Sequence, residues 1–389
     1  MNLKENTTTT VCVMDASSSL GFQLVHSLLR RGYLVHAVFQ SHSHSLSQGE
    51  LHNKIVQGIS EYNKNLNIFQ TDLLDYHSIL RTLTGCSALF YTFEPPLDHP
   101  LYDEYMAEIE VRAAHNVLEA CAQTPTMEKV IFTSSATAVV WPASRNGSSL
   151  SSCDDVDERS WSDINFCKKF KLWHALSKTL AEKAAWALAM DRGVNMVAVN
   201  GGLLLDDKPT ILPATANNKH INPNHLPAYL KGAAEMYEHG VLVAVDLQFL
   251  VDAHICVFEE VASYGRYLCF NHVINCHEEA VNLAAKFMST PPQSSNKDTR
   301  VFPQRISNKK LNKLMGVTQM SELLACYHIL RPLKRQTHLL LSWFISFICP
   351  WMTPRGARRG IHHSLRLGVP SQGDCTGKIL RIIVPTLHS

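Results

Sequence analysis

Short apolar runs and amphipathic segments alternate along most of this chain, and this alternation constrains the fold more than any single motif does. The apolar runs, which have the length of buried strands, lie at 10–14, 34–39, 66–71, 88–92, 129–134 and 194–200. Apolar residues at helical spacing follow the first run, and amphipathic segments cover 103–122 and 171–191. Strand–helix alternation predicts an α/β fold with a doubly wound parallel sheet. Ligands of such sheets bind in the loops at the carboxyl ends of the strands.

The length and composition are those of a globular protein. The chain has 389 residues, of which 46% are hydrophobic and 18% charged, enough for one large core or two modest ones. The formal net charge of +2 gives no reason to expect a nucleic-acid partner. The eleven cysteines are scattered without zinc-site spacing, so we expect reduced, mostly buried thiols and no metal.

The two ends of the chain differ from its middle. Residues 1–9 are polar and lack the apolar core of a signal peptide, which predicts a disordered start and a cytoplasmic protein. From 316 to 389 there are nine Lys and Arg against two acidic residues. We expect this basic tail to be disordered or poorly folded, or to be translated non-coding sequence. Its apolar stretch at 339–352 is too short for a transmembrane span, and a membrane-surface segment is the alternative.

The turn after the first strand stands where dinucleotide-binding folds place three spaced glycines, and only Gly21 is present. Asp15 and Ser18 occupy the other two positions. A carboxylate about 5 Å from a phosphate costs roughly 3 kcal/mol at an effective dielectric near 20. Alternatively, Asp15 caps the following helix, and capping then competes with the cofactor for the same amides. At the end of the second strand Gln40 is neither the acid nor the arginine that selects NAD or NADP, so no preference is predicted.

His174 and Lys178 are spaced by one helical turn and should share a helix face. A lysine ammonium at that position lowers the pKa of a neighbouring proton donor. Imidazole has an unperturbed pKa of about 6.5, so a histidine donor there should favour acidic conditions unless a carboxylate such as Glu94 restores its charge.

Seven further segments, in constant order and spacing, point to a family. They are RGYLVHA at 31–37, TDLLD at 71–75, NVLEAC at 116–121, IFTSSA at 131–136, WSD at 161–163, SKTLAE at 177–182 and GRYLC at 265–269. With these segments the chain resembles the extended short-chain dehydrogenase/reductases of the plant cinnamoyl-CoA reductase and dihydroflavonol reductase type. It is most similar to a divergent branch described as cinnamoyl-CoA reductase-like.

The resemblance implies one Rossmann domain over 10–315, with a smaller substrate lobe mainly from 202–245 and 270–315. It implies an NADP-dependent oxidoreductase acting on a phenylpropanoid or flavonoid carbonyl, with Ser135 positioning the carbonyl, Lys178 holding the nicotinamide ribose and His174 standing in the place of the family's catalytic tyrosine. The cofactor residues that it implies are Asp15, Ser17, Ser18, Ser19, Leu20, Gly21, Gln40, Asp72, Leu73, Thr92 and Lys178.

The departures from the family pattern gather around one cleft. Besides Asp15 and His174, a ring and a carboxylate at Phe93 and Glu94 replace a small residue and would crowd the cofactor, and Gly201 replaces a proline. Of the asparagine-tryptophan-tyrosine stretch typical of CoA-ester reductases only Trp173 is present. The changes suggest a kept fold with relaxed or altered chemistry.

Three hypotheses follow. The chain is a reductase in which His174 donates the proton, a non-catalytic protein that binds a phenylpropanoid-like ligand or a protein partner, or an enzyme with a different reaction on the same scaffold. We expect the substrate pocket after Asp206 and near Ser135 and Trp161, beside a helix over 229–240 whose Met236 and Tyr237 form its packing face.

Overall fold

A computed structural model describes residues 9–40, 64–93, 95, 102–142, 155–205, 227–287 and 299–316. Its strands are β1 Thr10–Met14, β2 Leu34–Gln40, β3 Leu66–Thr71, β4 Ala88–Tyr91, β5 Lys129–Ser135, β6 Met196–Gly201, β7 Leu203–Leu205, β8 Val243–Asp246, β9 Gly265–Cys269 and β10 His272–Val273. Its α-helices are α1 Ser19–Arg30, α2 Tyr76–Leu83, α3 Glu104–Ala122, α4 Ile164–Lys169, α5 Trp173–Arg192, α6 Ala233–Glu238, α7 Leu247–Glu259, α8 His277–Phe287 and α9 at 309–316. Of the predicted disordered start at 1–9 only Thr9 is described, and of the predicted basic tail at 316–389 only Gly316. The domain boundaries stay a prediction.

Seven strands form one parallel sheet in the order β3-β2-β1-β4-β5-β6-β9. This confirms the predicted doubly wound parallel sheet. The strand order reverses between β1, which pairs with β2 on one side, and β4 on the other. A crevice opens outside the carboxyl ends of the strands at such a reversal, and it is the usual ligand site of these folds.

Each face of the sheet is covered by its own layer of helices, because alternate residues of a strand point to opposite faces. On one face Val11 and Val13 pack in a core with α1 and α7, through residues such as Leu24 and Val251. On the other face Cys12 and Met14 belong to a core with α2, α3 and α5. The strands are therefore buried on both sides, which explains their continuous apolar runs.

A second, smaller sheet of β10, β8 and β7 lies in the part of the chain that was expected to form the substrate lobe. The predicted helix over 229–240 is wrong in its extent. A 3₁₀ turn at Ala228–Leu230 is separated from the short helix α6 by Gly232, which has a φ of +85°. A left-handed residue interrupts helical hydrogen bonding, so the segment bends there.

A buried polar network fastens α5 to the sheet next to the crevice. Glu182 on α5 is fully buried and accepts hydrogen bonds from Ser134 at 2.7 Å and Asn200 at 2.7 Å. It also forms an ion pair with Arg266 of β9 at 2.6 Å. The guanidinium of Arg266 lies 3.7 Å from the ring centre of Trp161. The network joins β5, β6 and β9 to the helix that carries His174 and Lys178.

The cysteines of the described chain are free thiols, six buried and one partly exposed, as the sequence predicts. Among the described residues, no helix has the length and apolar character that crossing a membrane requires.

Candidate active site

The turn between β1 and α1 is organised by Ser18 and Asp15 in separate roles. Ser18 is the N-cap of α1, and its Oγ accepts a hydrogen bond from the Gly21 amide at 3.0 Å. Asp15 Oδ1 accepts from the Ser17 amide at 2.8 Å and from the Ser17 hydroxyl, and Asp15 Oδ2 accepts from Gln40 Nε2 at 3.1 Å. The expectation that Asp15 caps the helix is therefore wrong. Ser18, three residues later, is placed to accept from a first-turn amide of α1, whereas Asp15 accepts from the amide two residues ahead and so stabilises the turn before the helix.

Burial raises the pKa of Asp15, and the hydrogen bonds from Ser17 and Gln40 oppose that shift in part. The carboxylate is 3% exposed and is directed to the end of β2 by its bond to Gln40. Gly21 is required beside it, because a Cβ at that position would lie 1.9 Å from the Asp15 carbonyl oxygen. The helix and the turn thus approach each other as closely as a dinucleotide fold requires.

The remaining residues implied for the cofactor lie at the carboxyl ends of neighbouring strands. Asp72 follows β3, and its Oδ1 accepts from the Leu74 amide at 2.8 Å, while Leu73 is buried in the core. Thr92 follows β4 and donates a hydrogen bond to Thr133 at 3.0 Å. Parallel strands bring these positions to one edge of the sheet, as expected.

Ser135 and His174 are joined through a residue that the sequence did not single out, Thr137. Ser135 ends β5 and caps the short 3₁₀ helix Ala136–Ala138. The Thr137 amide donates to Ser135 Oγ at 3.2 Å, and the two hydroxyl oxygens are 3.1 Å apart. His174 Nδ1 lies 3.0 Å from Thr137 Oγ1. A continuous hydrogen-bonded chain therefore runs from β5 to α5.

Lys178 lies one turn beyond His174, as the spacing predicts, and its ammonium is held by two oxygens. Nζ is 2.9 Å from Glu110 Oε1 and donates to the carbonyl of Phe93 at 3.1 Å. Glu110 on α3 was not predicted, although a glutamate on the apolar stripe of an amphipathic helix is the kind of exception that could have been noticed. The predicted crowding by Phe93 takes a different form, because its ring belongs to the buried core while its carbonyl meets Lys178. Glu94 lies outside the described residues.

The environment of His174 keeps its imidazole neutral. Burial lowers the pKa of His174 well below 6.5, and the ammonium of Lys178 lowers it further. The direction agrees with the expectation from the spacing, with burial as the larger cause. The rings of Tyr102 and Tyr229 lie 4.7 Å and 6.0 Å from the imidazole, centre to centre. Aromatic neighbours supply no charge that would restore the imidazolium.

An apolar cavity of about 300 Å³ lies in the smaller lobe, between α6 and α8. Leu230, Tyr237, Leu242, Leu283 and Phe287 are among the residues that line it. Met236 is fully buried and packs in the core, as expected of a packing face, whereas Tyr237 packs against Phe302 and also lines the cavity. Ser135, His174 and Lys178 do not line this cavity. The stretch after Asp206, which was expected to contribute to the pocket, lies outside the described residues.

Comparison with known proteins agrees with this geometry. Residues 12–195 match the 3-beta hydroxysteroid dehydrogenase/isomerase family. The chain is 32% identical to cinnamoyl-CoA reductase 1 of Petunia hybrida over 334 residues, which cover 85% of this chain and 93% of the relative. The structure is similar to that of vestitone reductase from alfalfa, with a TM-score of 0.55 and 25% identity, covering 78% of this chain and 91% of the other.

The same fold occurs in a yeast methylglyoxal/isovaleraldehyde reductase complexed with NADPH. The TM-score is 0.57 at 17% identity, covering 79% of this chain and 93% of that one. The parallel sheet and its flanking helices agree with the sequence similarity over most of the chain. The chain therefore belongs to the extended short-chain dehydrogenase/reductase family, among the cinnamoyl-CoA reductase-like proteins.

Proposed function

We propose that this protein is an NADP(H)-dependent reductase of a phenylpropanoid-like or flavonoid carbonyl, in which a neutral His174 takes the place of the family's tyrosine. The observation that carries the proposal is that Thr137 links Ser135 to His174, through its amide on one side and its hydroxyl on the other, beside Lys178. This arrangement lies at the carboxyl end of β5, on the edge of the sheet where ligands of such folds bind.

The residues of the β1–α1 turn fit a dinucleotide in outline. Helix α1 has no acidic residue in its first turn, and its N-terminal amides, with Ser17 to Gly21, would hold the pyrophosphate. Gln40 would face the adenosine ribose, and Lys178 the nicotinamide ribose. The bound cofactor would supply the hydride, as NADPH does in reductases.

The Thr137 hydroxyl has one hydrogen, so the direction in which Thr137 donates decides which imidazole nitrogen of His174 carries the proton. If Thr137 donates to His174 Nδ1, the neutral imidazole carries its proton on Nε2 and can donate it to a carbonyl oxygen. The Thr137 hydroxyl then no longer donates to Ser135 Oγ, which accepts from the Thr137 amide alone, and the Ser135 hydroxyl hydrogen can be directed at the same oxygen. Two donors would stabilise the negative charge that develops on that oxygen.

A neutral imidazole acts here as a hydrogen-bond donor and not as an imidazolium acid, and other enzymes use neutral histidine in this way. The pH dependence separates the two mechanisms. With a neutral donor, kcat/KM should not rise as the pH falls from 8 to 6. With an imidazolium donor it should rise towards acid, in proportion to the protonated fraction.

The test is NADPH oxidation with a panel of cinnamoyl-CoA esters, cinnamaldehydes and dihydroflavonols between pH 5 and 8. His174→Ala should lower kcat about 10²- to 10³-fold, the usual cost of one lost donor at a developing oxyanion. His174→Gln, which keeps an N–H donor, should retain more activity than His174→Ala. Wild-type protein without turnover on any of these carbonyls would refute the proposal.

A non-catalytic binding protein is the second candidate, and the ion pair of Lys178 with Glu110 favours it, since that lysine already has a charged partner. Calorimetry separates the two candidates. A protein that binds a phenylpropanoid-like compound and shows no heat of NADPH binding fits only this second function.

A further inference from the structure

The carboxylate of Glu110 lies at the centre of a buried cluster that reaches three parts of the fold. Its side chain is 2% exposed, and its two oxygens bond to consecutive residues of α5. Oε1 pairs with Lys178 Nζ at 2.9 Å, and Oε2 accepts from the Ser177 hydroxyl. Glu110 itself stands on α3, so this side chain links α3 to α5 by an ion pair and a hydrogen bond.

Lys178 is held on its other sides as well. The Phe93 carbonyl accepts from Nζ at 3.1 Å, and the ring centres of Phe93 and Tyr102 lie 5.7 Å and 5.9 Å from it. The carboxylate of Glu110 attracts the ammonium with a full negative charge, whereas a hydroxyl offers only a dipole. A neutral ribose hydroxyl therefore competes poorly with Glu110 for this ammonium.

The charge of Glu110 is felt by its other neighbours. Burial raises the pKa of Tyr91 well above 10, Glu110 raises it further, and the opposing effect of Lys178 is smaller than that of Glu110. The carboxylate therefore outweighs the ammonium on the β4 side, while His174 on α5 experiences the ammonium. An anionic cofactor that approaches Lys178 would therefore also experience the nearby negative charge of Glu110.

We propose that Glu110 is a positioning residue that limits the affinity of this site for NADPH, because it holds Lys178 in an ion pair that the cofactor must share or break. The inference rests on the proposed function in one respect only, the identity of the cofactor. It adds a determinant of cofactor affinity that lies outside the glycine turn and on a different helix.

The experiment compares NADPH dissociation constants of the full-length wild type and Glu110→Gln by fluorescence titration. The amide keeps the shape of the side chain and removes the negative charge. We expect binding about tenfold tighter, the effect of one buried charge several ångströms from an anion at an effective dielectric near 20. In steady state the KM for NADPH should fall in Glu110→Gln, with a smaller change in kcat.

Glu108 supplies the matched control, because it is exposed on the same helix two residues away. Glu108→Gln removes the same charge from the protein and should leave the dissociation constant unchanged. Thermal unfolding of each variant separates affinity from stability, since breaking a buried pair is also destabilising. Should Glu110→Gln fail to fold, Glu110→Asp decides, because its shorter side chain loosens the contact with Lys178 and should also tighten NADPH binding.

The outcomes distinguish this inference from the proposed function. Tighter NADPH binding by Glu110→Gln supports the inference, even when neither protein turns over a carbonyl. Equal or weaker binding by the folded Glu110 variants overturns it, even if His174→Ala shows that the wild type is a reductase. If neither wild type nor the variants bind NADPH, both are refuted.

Discussion

His254 should make the stability of this protein depend on pH in a predictable way. The imidazole is fully buried on α7, with Nδ1 2.7 Å from the Leu250 carbonyl and Nε2 2.8 Å from the Thr133 hydroxyl. The carbonyl can only accept, so Nδ1 carries the proton and Nε2 accepts from Thr133. Protonation of Nε2 would break that bond and place a charge under the end of β5.

The size of the effect follows from the pKa. Burial lowers the pKa of His254 from 6.5 to about 4. Between these values the unfolded chain binds a proton that the folded protein does not, so stability falls as the pH drops below 6.5 and levels off below 4. At about 1.36 kcal/mol per pKa unit, the loss is about 2 kcal/mol at pH 5 and about 3 kcal/mol at pH 4.

The assay is urea unfolding of wild type and His254→Gln at intervals from pH 7.5 to pH 4. Glutamine keeps an acceptor for Thr133 and does not titrate. The free energy of unfolding of the wild type should fall relative to that of the variant by the amounts above, and the difference cancels the contributions of other groups such as His174. Parallel curves for the two proteins would refute this assignment of the buried neutral histidine.

Three further substitutions test other parts of the structure. Asp15→Asn should tighten NADPH binding, measured by titration, by up to about a hundredfold if the carboxylate is ionised in the complex. Because burial raises the pKa of Asp15, this gain in affinity should shrink towards low pH. Gly21→Ala should abolish cofactor binding and lower the melting temperature, because the added Cβ would lie 1.9 Å from the Asp15 carbonyl oxygen. Gly316→Ala is the control: its Cβ would meet no atom within 4 Å, so neither quantity should change. Glu182→Gln should cost about 3–5 kcal/mol in urea unfolding by leaving Arg266 buried without its charge partner, and the exposed pair of Arg31 and Glu259 should contribute less than about 1 kcal/mol in the same assay.

Six of the seven strands of the central sheet could be predicted, because they are buried on both faces and appear as continuous apolar runs. The seventh strand, β9, was not predicted as a strand. Strand boundaries agreed with the structure to within two residues, as for β6, expected at 194–200 and found at Met196–Gly201. The segment 229–240 failed because its periodicity continues through Gly232, and only the backbone shows that this glycine is left-handed. Local pattern gives the element type, and one residue of special conformation decides where it ends.

The candidate site was predictable where its members share one helix and not where they come together from distant elements. His174 and Lys178 are four residues apart, so their proximity follows from helix geometry alone. Thr137 and Glu110 approach them across the crevice, 37 and 68 residues away in sequence. Nothing in the local sequence of Thr137 marks it, whereas Glu110 interrupts a stripe that also contains Met106, Ala113 and Val117. A charge on an apolar stripe predicts a buried partner without identifying it.

The two acids of the site are both paired. A buried charge without a partner destabilises the fold whether or not the site is catalytic. Asp15 is bonded to Ser17 and Gln40, and Glu110 to Lys178 and Ser177. Each acid thus has its own partners, at the turn after β1 and between α3 and α5.

Independent sets of partners have a measurable consequence. If the acids oppose the cofactor separately, the gain in NADPH affinity of the double variant Asp15→Asn/Glu110→Gln should equal the product of the two single gains. A gain well below that product would show that the acids act on one shared step, such as the release of Lys178. A single variant that restores full affinity would assign the barrier to one acid and leave the other as a structural group.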